Sequence, residues 1–368
     1  MTATNKIGLP DGDATGAPAA AADGTAAHAG TVRKGAADPP RHALTGPKRR
    51  WLGLALVVVA ILVLASAPFW LAPYPVSMLS RILAFALLVV SVDLLTGYTG
   101  LPTLGQVAYF GAGAYTAGLV GVHLTSNAFV QLIAGTLVAA VLALITGVVA
   151  VRTKGFVFLM VTLAITELAH QQAQTMDLTG GSNGLSGIPS ISLLPTSGPL
   201  VLTGYVYWWV LFVFLFGVAL AAILVKSPMG RSMRGIRDGE DRMRAIGRRT
   251  FVAKLVAFTF AGSLAGMAGT AWTAQARFVS PGDMAFALAA VALLAVVFGG
   301  AGTLWGPIVA AAIVILIRDE IGAIADGRGG MILGFVFVIA VFLLPRGIAG
   351  IRRKRAAVGP TPVAGEES

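Results

Sequence analysis

KSPMGRSMRGIRDGEDRMRAIGRRTFVAK, residues 226–254, decides how the rest of the chain is read. It holds nine basic residues, Lys226, Arg231, Arg234, Arg237, Arg242, Arg244, Arg248, Arg249 and Lys254. Against them stand the acids Asp238, Glu240 and Asp241. Long apolar runs flank the segment on both sides. The flanks suit lipid and the segment suits water, so the chain reads as a membrane body carrying a polar loop.

Composition agrees. Of 368 residues, 56% are hydrophobic and 12% charged, with a mean hydropathy of +0.82. Soluble domains carry about 25% charged residues. The class is therefore an all-α integral membrane protein. A net charge of +11 invites a nucleic-acid reading, but such proteins gather their charge on a soluble domain. Here the basic residues flank apolar runs, as in membrane proteins with basic cytoplasmic loops. The chain has no cysteine, which excludes disulfides and thiol chemistry. No His/Glu/Asp cluster has metal-ligand spacing, and no nucleophile–base pair is visible. Residues 1–46, rich in Ala, Gly, Asp and Pro, read as a disordered tail and not as a cleavable signal peptide.

A span needs about 20 apolar residues to cross roughly 30 Å of hydrocarbon. Ten are expected, at 51–72, 77–97, 105–124, 128–151, 156–172, 205–225, 252–274, 285–299, 305–323 and 330–345. With the N-terminal tail inside, 22 basic residues between Arg33 and Arg355 fall on the cytoplasmic side. Only Arg81, Arg277, Arg318 and Arg328 fall outside. That asymmetry supports an even number of spans and two cytoplasmic termini. The transmembrane domain then covers 47–350, and 351–368 form a basic, disordered tail.

Glycine interrupts the lipid pattern twice. GYTGLPTLGQVAYFGAGAYTAG holds Gly97, Gly100, Gly105, Gly111, Gly113 and Gly118, and FGGAGTLWGP holds Gly299, Gly300, Gly302 and Gly306. Interrupted segments in two halves of a transporter point to unwound backbone along a pathway; small residues also serve close helix packing. With Pro102, the first stretch as a whole reads as a broken helix. Polar residues at membrane depth are the next signal, because each is costly in lipid. Asp93 lies near the inner end of the second span. Thr162, Thr166 and His170 recur every four residues on the fifth, which places them on one face. Glu167 lies beside them, and Gln171 and Gln174 continue outward. The stripe reads as pathway lining, with an interfacial position as the alternative for His170 and the glutamines.

No G-x-x-x-x-G-K-[ST] phosphate loop is present, so ATP is not hydrolysed here by that route. The chain is not an evident enzyme. An ion gradient or another subunit powers it. The central loop opens with Ser227-Pro228, a helix start. Met229, Met233 and Ile236, then Met243 and Ile246, suit two short amphipathic helices around Asp238-Gly239. Such helices rest on the membrane surface or dock in a groove of a soluble partner. The length favours docking, since connectors usually run to about 2–8 residues.

Four segments in order resemble a known family: GYTGLPTLGQVAYFGAGAYTAGLV, RTKGFVFLMVTLAITELAHQQAQTMDLTGGSNGLSGIP, SPMGRSMRGIRDGEDRMRAIG and VFGGAGTLWGPIVAAAIV. The chain is similar over most of 80–345 to the M-type permease subunits of branched-chain amino acid ABC importers. Relatives of that family move urea and short amides. The resemblance implies a type II importer-like fold, in which two short cytoplasmic coupling helices meet two ATPase subunits. It implies a second permease subunit and an extracellular binding protein as further partners. ATP and Mg²⁺ would be held by the ATPases, with no cofactor in this chain. By the same match, Gly230, Arg231, Arg234, Arg237, Glu240, Ala245 and Gly247 belong to the coupling loop. Gly97, Gly100, Gly105, Gln106, Gly113, Tyr115, Glu167, Thr179, Gly180, Gly181 and Gly184 fall in pathway motifs, alongside Thr162 and Thr166 from the stripe. Asp93 departs from the motif, which commonly has Asn there. Arg248-Arg249 replace a more usual apolar residue. The expected function is import of Leu, Ile or Val across the cytoplasmic membrane. Urea, short amides or other amino acids are alternative cargo. An ion-coupled transporter using Asp93 or Glu167, and a membrane scaffold or sensor, are the readings from other classes.

Overall fold

The computed structural model describes residues 47–192, 203–318 and the isolated Gly334. The chain divides into two compact units, Met1–Leu56 and Val57–Ser368. In the first, the described residues are the opening turns of helix α1; the helical bundle belongs to the second. The tails at 1–46 and 351–368 and the tenth expected span, 330–345, lie outside the described residues.

The helices run α1 (Pro47–Trp70), α2 (Pro73–Asp93), α3 (Gln106–His123), α4 (Ala128–Ala150), α5 (Gly155–Thr175), α6 (Thr203–Lys226), α7 (Pro228–Asp238), α8 (Glu240–Ala245), α9 (Thr250–Ala276), α10 (Phe286–Gly299) and α11 (Trp305–Leu316). A π-helical turn, Leu94–Thr99, extends α2, and short 3₁₀ turns come after α5 and before α10. Among the described residues no strand forms. Two isolated bridges pair Asn127 with Ser192 and Leu185 with Val279.

Every expected span up to residue 318 coincides with a helix. Among the described residues, five helices are long and apolar enough to cross a membrane: Pro73–Thr99, Ala128–Ala150, Gly155–Thr175, Gly204–Lys226 and Thr250–Ala276. α10, Phe286–Gly299, keeps its expected bounds but is short for a span. Its 14 residues rise only about 21 Å, short of the roughly 30 Å core, because the backbone turns at Gly300, where φ is +97°.

The centre of the bundle is α2, buried on every side from Ile82 to Leu95. It reads as apolar all round, as a core helix must. Its main neighbour, α9, carries the run AGSLAGMAG. A side chain on Gly113 would strike the Gly266 backbone, and one on Gly269 would strike that of Phe110. α3 and α9 therefore touch nearly backbone to backbone, and the Thr273 hydroxyl donates to the Ala114 carbonyl at 3.0 Å. Close approach of this kind is how helices gain contact where lipid gives no hydrophobic drive. α4 and α5 lie at the rim: 28% and 22% of their apolar windows are buried, against 89% for α2.

The turns separate into two ends. At one, the α4–α5 turn meets the central loop: Lys154 Nζ lies 3.7 Å from Glu240 Oε2, and Arg152 sits over the Phe251 ring. At the other, the 176–192 loop bonds to both the α3–α4 and the α9–α10 connections. The basic α4–α5 turn and the central loop therefore share one end of the bundle.

Candidate translocation and coupling site

Local rules shape the central loop. Ser227 Oγ accepts from the backbone N–H of Met229 and Gly230 at 3.1 and 3.3 Å. With Pro228 at the first helical position, this starts α7. Gly239 (φ 169°, ψ 97°) ends it, and Glu240 opens α8. The two helices and the start of α9 enclose a groove of about 390 Å³ lined by Met229, Ile236, Met243, Arg248 and Arg249.

The arginines divide by role. Arg234, exposed as a residue, reaches back to donate to the Val225 carbonyl at the end of α6 at 2.7 Å and to the Gly230 carbonyl within α7 at 3.3 Å. Arg237 donates to the Gly97 carbonyl. Arg231, Arg248 and Arg249 are exposed, as are Ala245 and Gly247, the latter at φ +79° with open space around it. Gly230 has no room for a side chain, because the Leu224 and Val225 carbonyls crowd it. Glu240 is the hub of an ion cluster: Oε2 is 2.7 Å from Lys254 Nζ and Oε1 is 2.6 Å from Arg244 Nη2. Burial alone would raise the Glu240 carboxyl, but Lys254, Arg244 and Lys154 outweigh it and hold it below the ordinary carboxylate range.

The two glycine stretches meet. A side chain on Gly97 would collide with Asp93 and with the backbone of Gly302. Gly302 donates its N–H to Asp93 Oδ1 at 2.7 Å. After the π turn, Gly100 takes φ +74°, which a side chain resists, and the chain runs unwound to Gly105. That segment is held by α5. Thr162 Oγ1 accepts the Leu104 N–H at 3.2 Å, and the Thr166 hydroxyl donates to the Leu104 carbonyl at 2.8 Å. His170 shares this face and contacts the Pro281 carbonyl at 2.8 Å. The stripe thus ties α5 to its own subunit. Glu167 points the other way and is exposed, with Gln171 and Gln174 also exposed.

Beyond α5, the Thr179 hydroxyl bonds to the Ala173 and Met176 carbonyls, both at 2.7 Å. Gly180, Gly181 and Gly184 all take positive φ. They turn the chain so that Leu185 pairs with Val279 at 2.8 Å. A cavity of about 580 Å³, which the sequence reading missed, opens between α4 and α5 over α3, lined by Tyr109, Tyr115, Leu142, Leu168, Met176 and Thr179. Tyr115 Oη and both amide atoms of Gln106 are buried without a protein hydrogen-bond partner. At the same end, a smaller pocket of about 290 Å³ gathers Arg81, Arg318, Asp283 and Trp272. Burial raises the Asp283 carboxyl, against the pull of the Ser280 N–H and Arg318.

Lys254 was missed as well. A lysine four residues into an apolar helix was the signal, but its partner Glu240 is fixed only by the fold.

A helical bundle with unwound glycine segments in its interior and a basic helical elbow at one end defines an integral membrane permease. The comparisons place it further. The family model described as the branched-chain amino acid transport system / permease component matches residues 74–341, and the chain belongs to that family. It is 28% identical to the high-affinity branched-chain amino acid transport system permease protein LivM of Escherichia coli K12, over 85% of this chain and 79% of the relative. It is likewise 28% identical to LivM of Salmonella typhimurium, with the same coverage. A shorter match, 33% identical over 33% of this chain, is to the autoinducer 2 import system permease protein LsrC of Photorhabdus laumondii. No solved structure matches.

Proposed function

We propose that this chain is one membrane subunit of an ATP-driven importer of branched-chain amino acids, working with a second permease subunit, two ATPases that carry ATP and Mg²⁺, and an extracellular binding protein. The observation that carries this reading is the α7–α8 elbow. It offers a Met-lined groove and the exposed cations Arg231, Arg248 and Arg249 to a partner. It is also bolted inward, through Arg237 to the unwound Gly97 segment and through Glu240 to α9. A loop that only anchored the protein to the lipid surface needs no such inward links. The absence of a phosphate loop from the sequence gives the elbow a source of force outside the chain.

Glu167 supports the second permease. It is exposed near the middle of α5, and a carboxyl group on a lipid face is costly. A companion subunit across the α5 face, enclosing a polar pathway along Glu167, Gln171 and Gln174, removes that cost. The cavity beside Tyr115 is apolar and within the size range of small-ligand sites, which suits aliphatic side chains. The elbow end is then cytoplasmic, together with both tails. The family membership and the LivM relatives favour Leu, Ile and Val as cargo; urea or short amides are the next choice on the resemblance.

Affinity purification of the tagged chain from native membranes tests the assembly. The expected result is stoichiometric recovery of a companion permease and ATPase subunits, lost when the 228–246 elbow is deleted. Recovery of the chain alone, fully active in uptake, would contradict it.

A further inference from the structure

Three elements converge on one point of the backbone: the π-helical end of α2, the turn between α10 and α11, and the C-terminal end of α7. At that point Arg237 holds the Gly97 carbonyl, and Asp93 Oδ1 holds the Gly302 N–H at 2.7 Å. A side chain added to Gly302 would lie 2.6 Å from Arg237 Nη1, so the guanidinium already stands at the turn that Asp93 grips. Gly97 and Gly302 lie between the carboxyl group and the guanidinium.

Asp93 is only half used. It is fully buried, and its Oδ2 has no hydrogen-bond partner. Leaving a buried carboxylate oxygen unmatched is costly. Arg237 is also half used. A guanidinium carries five N–H donors in a planar fork that fits a carboxylate, and here it serves a neutral carbonyl. Arg237 is exposed as a residue, although its guanidinium reaches in to the Gly97 carbonyl.

We propose that Asp93 is the second docking position of the Arg237 guanidinium, which makes the junction a two-position switch. In the arrangement described, the guanidinium sits on the Gly97 carbonyl and Asp93 grips Gly302. When α7 is pushed toward the bundle, the guanidinium moves onto Asp93, and Asp93 loosens its hold on the 300–304 turn. Both glycine stretches then respond to one displacement of the elbow. The inference rests on the reading of the elbow as the ATPase contact and assigns Asp93 and Arg237 as positioning residues. It gives a reason for an acid at position 93: an amide there could still cap Gly302 but could not attract the arginine.

The absence of cysteine supplies the test. In the assembled complex, a single Ala301→Cys reporter in the α10–α11 turn is treated with a maleimide, without nucleotide and after trapping with ATP and vanadate. The reporter is expected to change reactivity about tenfold between the two states. Asp93→Asn, which keeps the cap on Gly302, is expected to abolish the change while the complex still assembles. Arg237→Gln should do the same, and the double variant should be no worse than either single. Arg237→Lys, which keeps the charge, should retain part of the change. A reporter indifferent to nucleotide in the otherwise unaltered chain overturns the switch, as does a full response in Asp93→Asn or in Arg237→Gln. Leucine uptake is read separately. A complex whose reporter responds but which does not take up leucine refutes the cargo assignment and leaves the switch standing.

Discussion

Lys254 places its ammonium nitrogen 2.7 Å from Glu240 Oε2, with only 2% of its side chain exposed. Near the start of a membrane helix, that lysine depends on the carboxylate. Removing one member of a buried pair costs about 3–5 kcal/mol, whereas replacing both by apolar groups is often neutral. Glu240→Gln is therefore expected to lower the thermal unfolding midpoint of the purified protein, and Glu240→Met with Lys254→Met to recover most of it. Equal losses in the single and double variants would show that the pair does not hold α8 on α9.

The same pair sets a pH dependence. The carboxyl of Glu240 is held below its ordinary range in the folded protein. Its contribution is thus fully present above the unfolded value of about 4.3 and is lost as pH falls through the lower folded value. Unfolding midpoints measured from pH 7 downward should drop more steeply in the wild type than in Glu240→Gln. Parallel curves would exclude the carboxylate as the cause.

Thr166 holds the unwound segment through its hydroxyl bond to Leu104. Thr166→Val keeps the shape and leaves that carbonyl without its donor, a loss of about 1–3 kcal/mol. We expect lower stability together with faster protease cleavage between Gly100 and Gly105. Unchanged cleavage would mean that the segment is held by other contacts.

Gly269 packs against the Phe110 backbone with no space for a methyl group. Gly269→Ala should force α3 and α9 apart and destabilise the protein by about 1–3 kcal/mol. Gly155 also takes a positive φ but has open surroundings, so Gly155→Ala should cost only the backbone strain, about 1 kcal/mol. Equal effects at the two sites would remove the packing argument.

These outcomes track the line between what was legible in the sequence and what was not. Features set by neighbouring residues were legible. Ser227-Pro228 marks the start of α7, Gly239 the break before α8, and the apolar runs the helices up to residue 318. The four-residue spacing placed Thr162, Thr166 and His170 on one face, but not what that face meets. Their partners Leu104 and Pro281 are remote in sequence, so the stripe turned out to bind its own subunit while Glu167 faced away. The inward use of Arg234 and Arg237 was hidden for the same reason, since a basic loop looks identical whether its arginines reach out or back. Asp93 was visible as an oddity. Its grip on Gly302, 209 residues further on, is a product of folding alone.

The central claim is that force enters this chain from ATPase subunits through the α7–α8 elbow. Its most direct test is leucine uptake into proteoliposomes holding the chain, its companion permease and both ATPases, with binding protein on the outside. The account predicts uptake that requires ATP and every subunit, continues in the presence of an uncoupler, and is lost in a variant carrying acidic residues at Arg231, Arg248 and Arg249 that still folds. Uptake by this chain alone, driven by a proton gradient and abolished by the uncoupler, would contradict it.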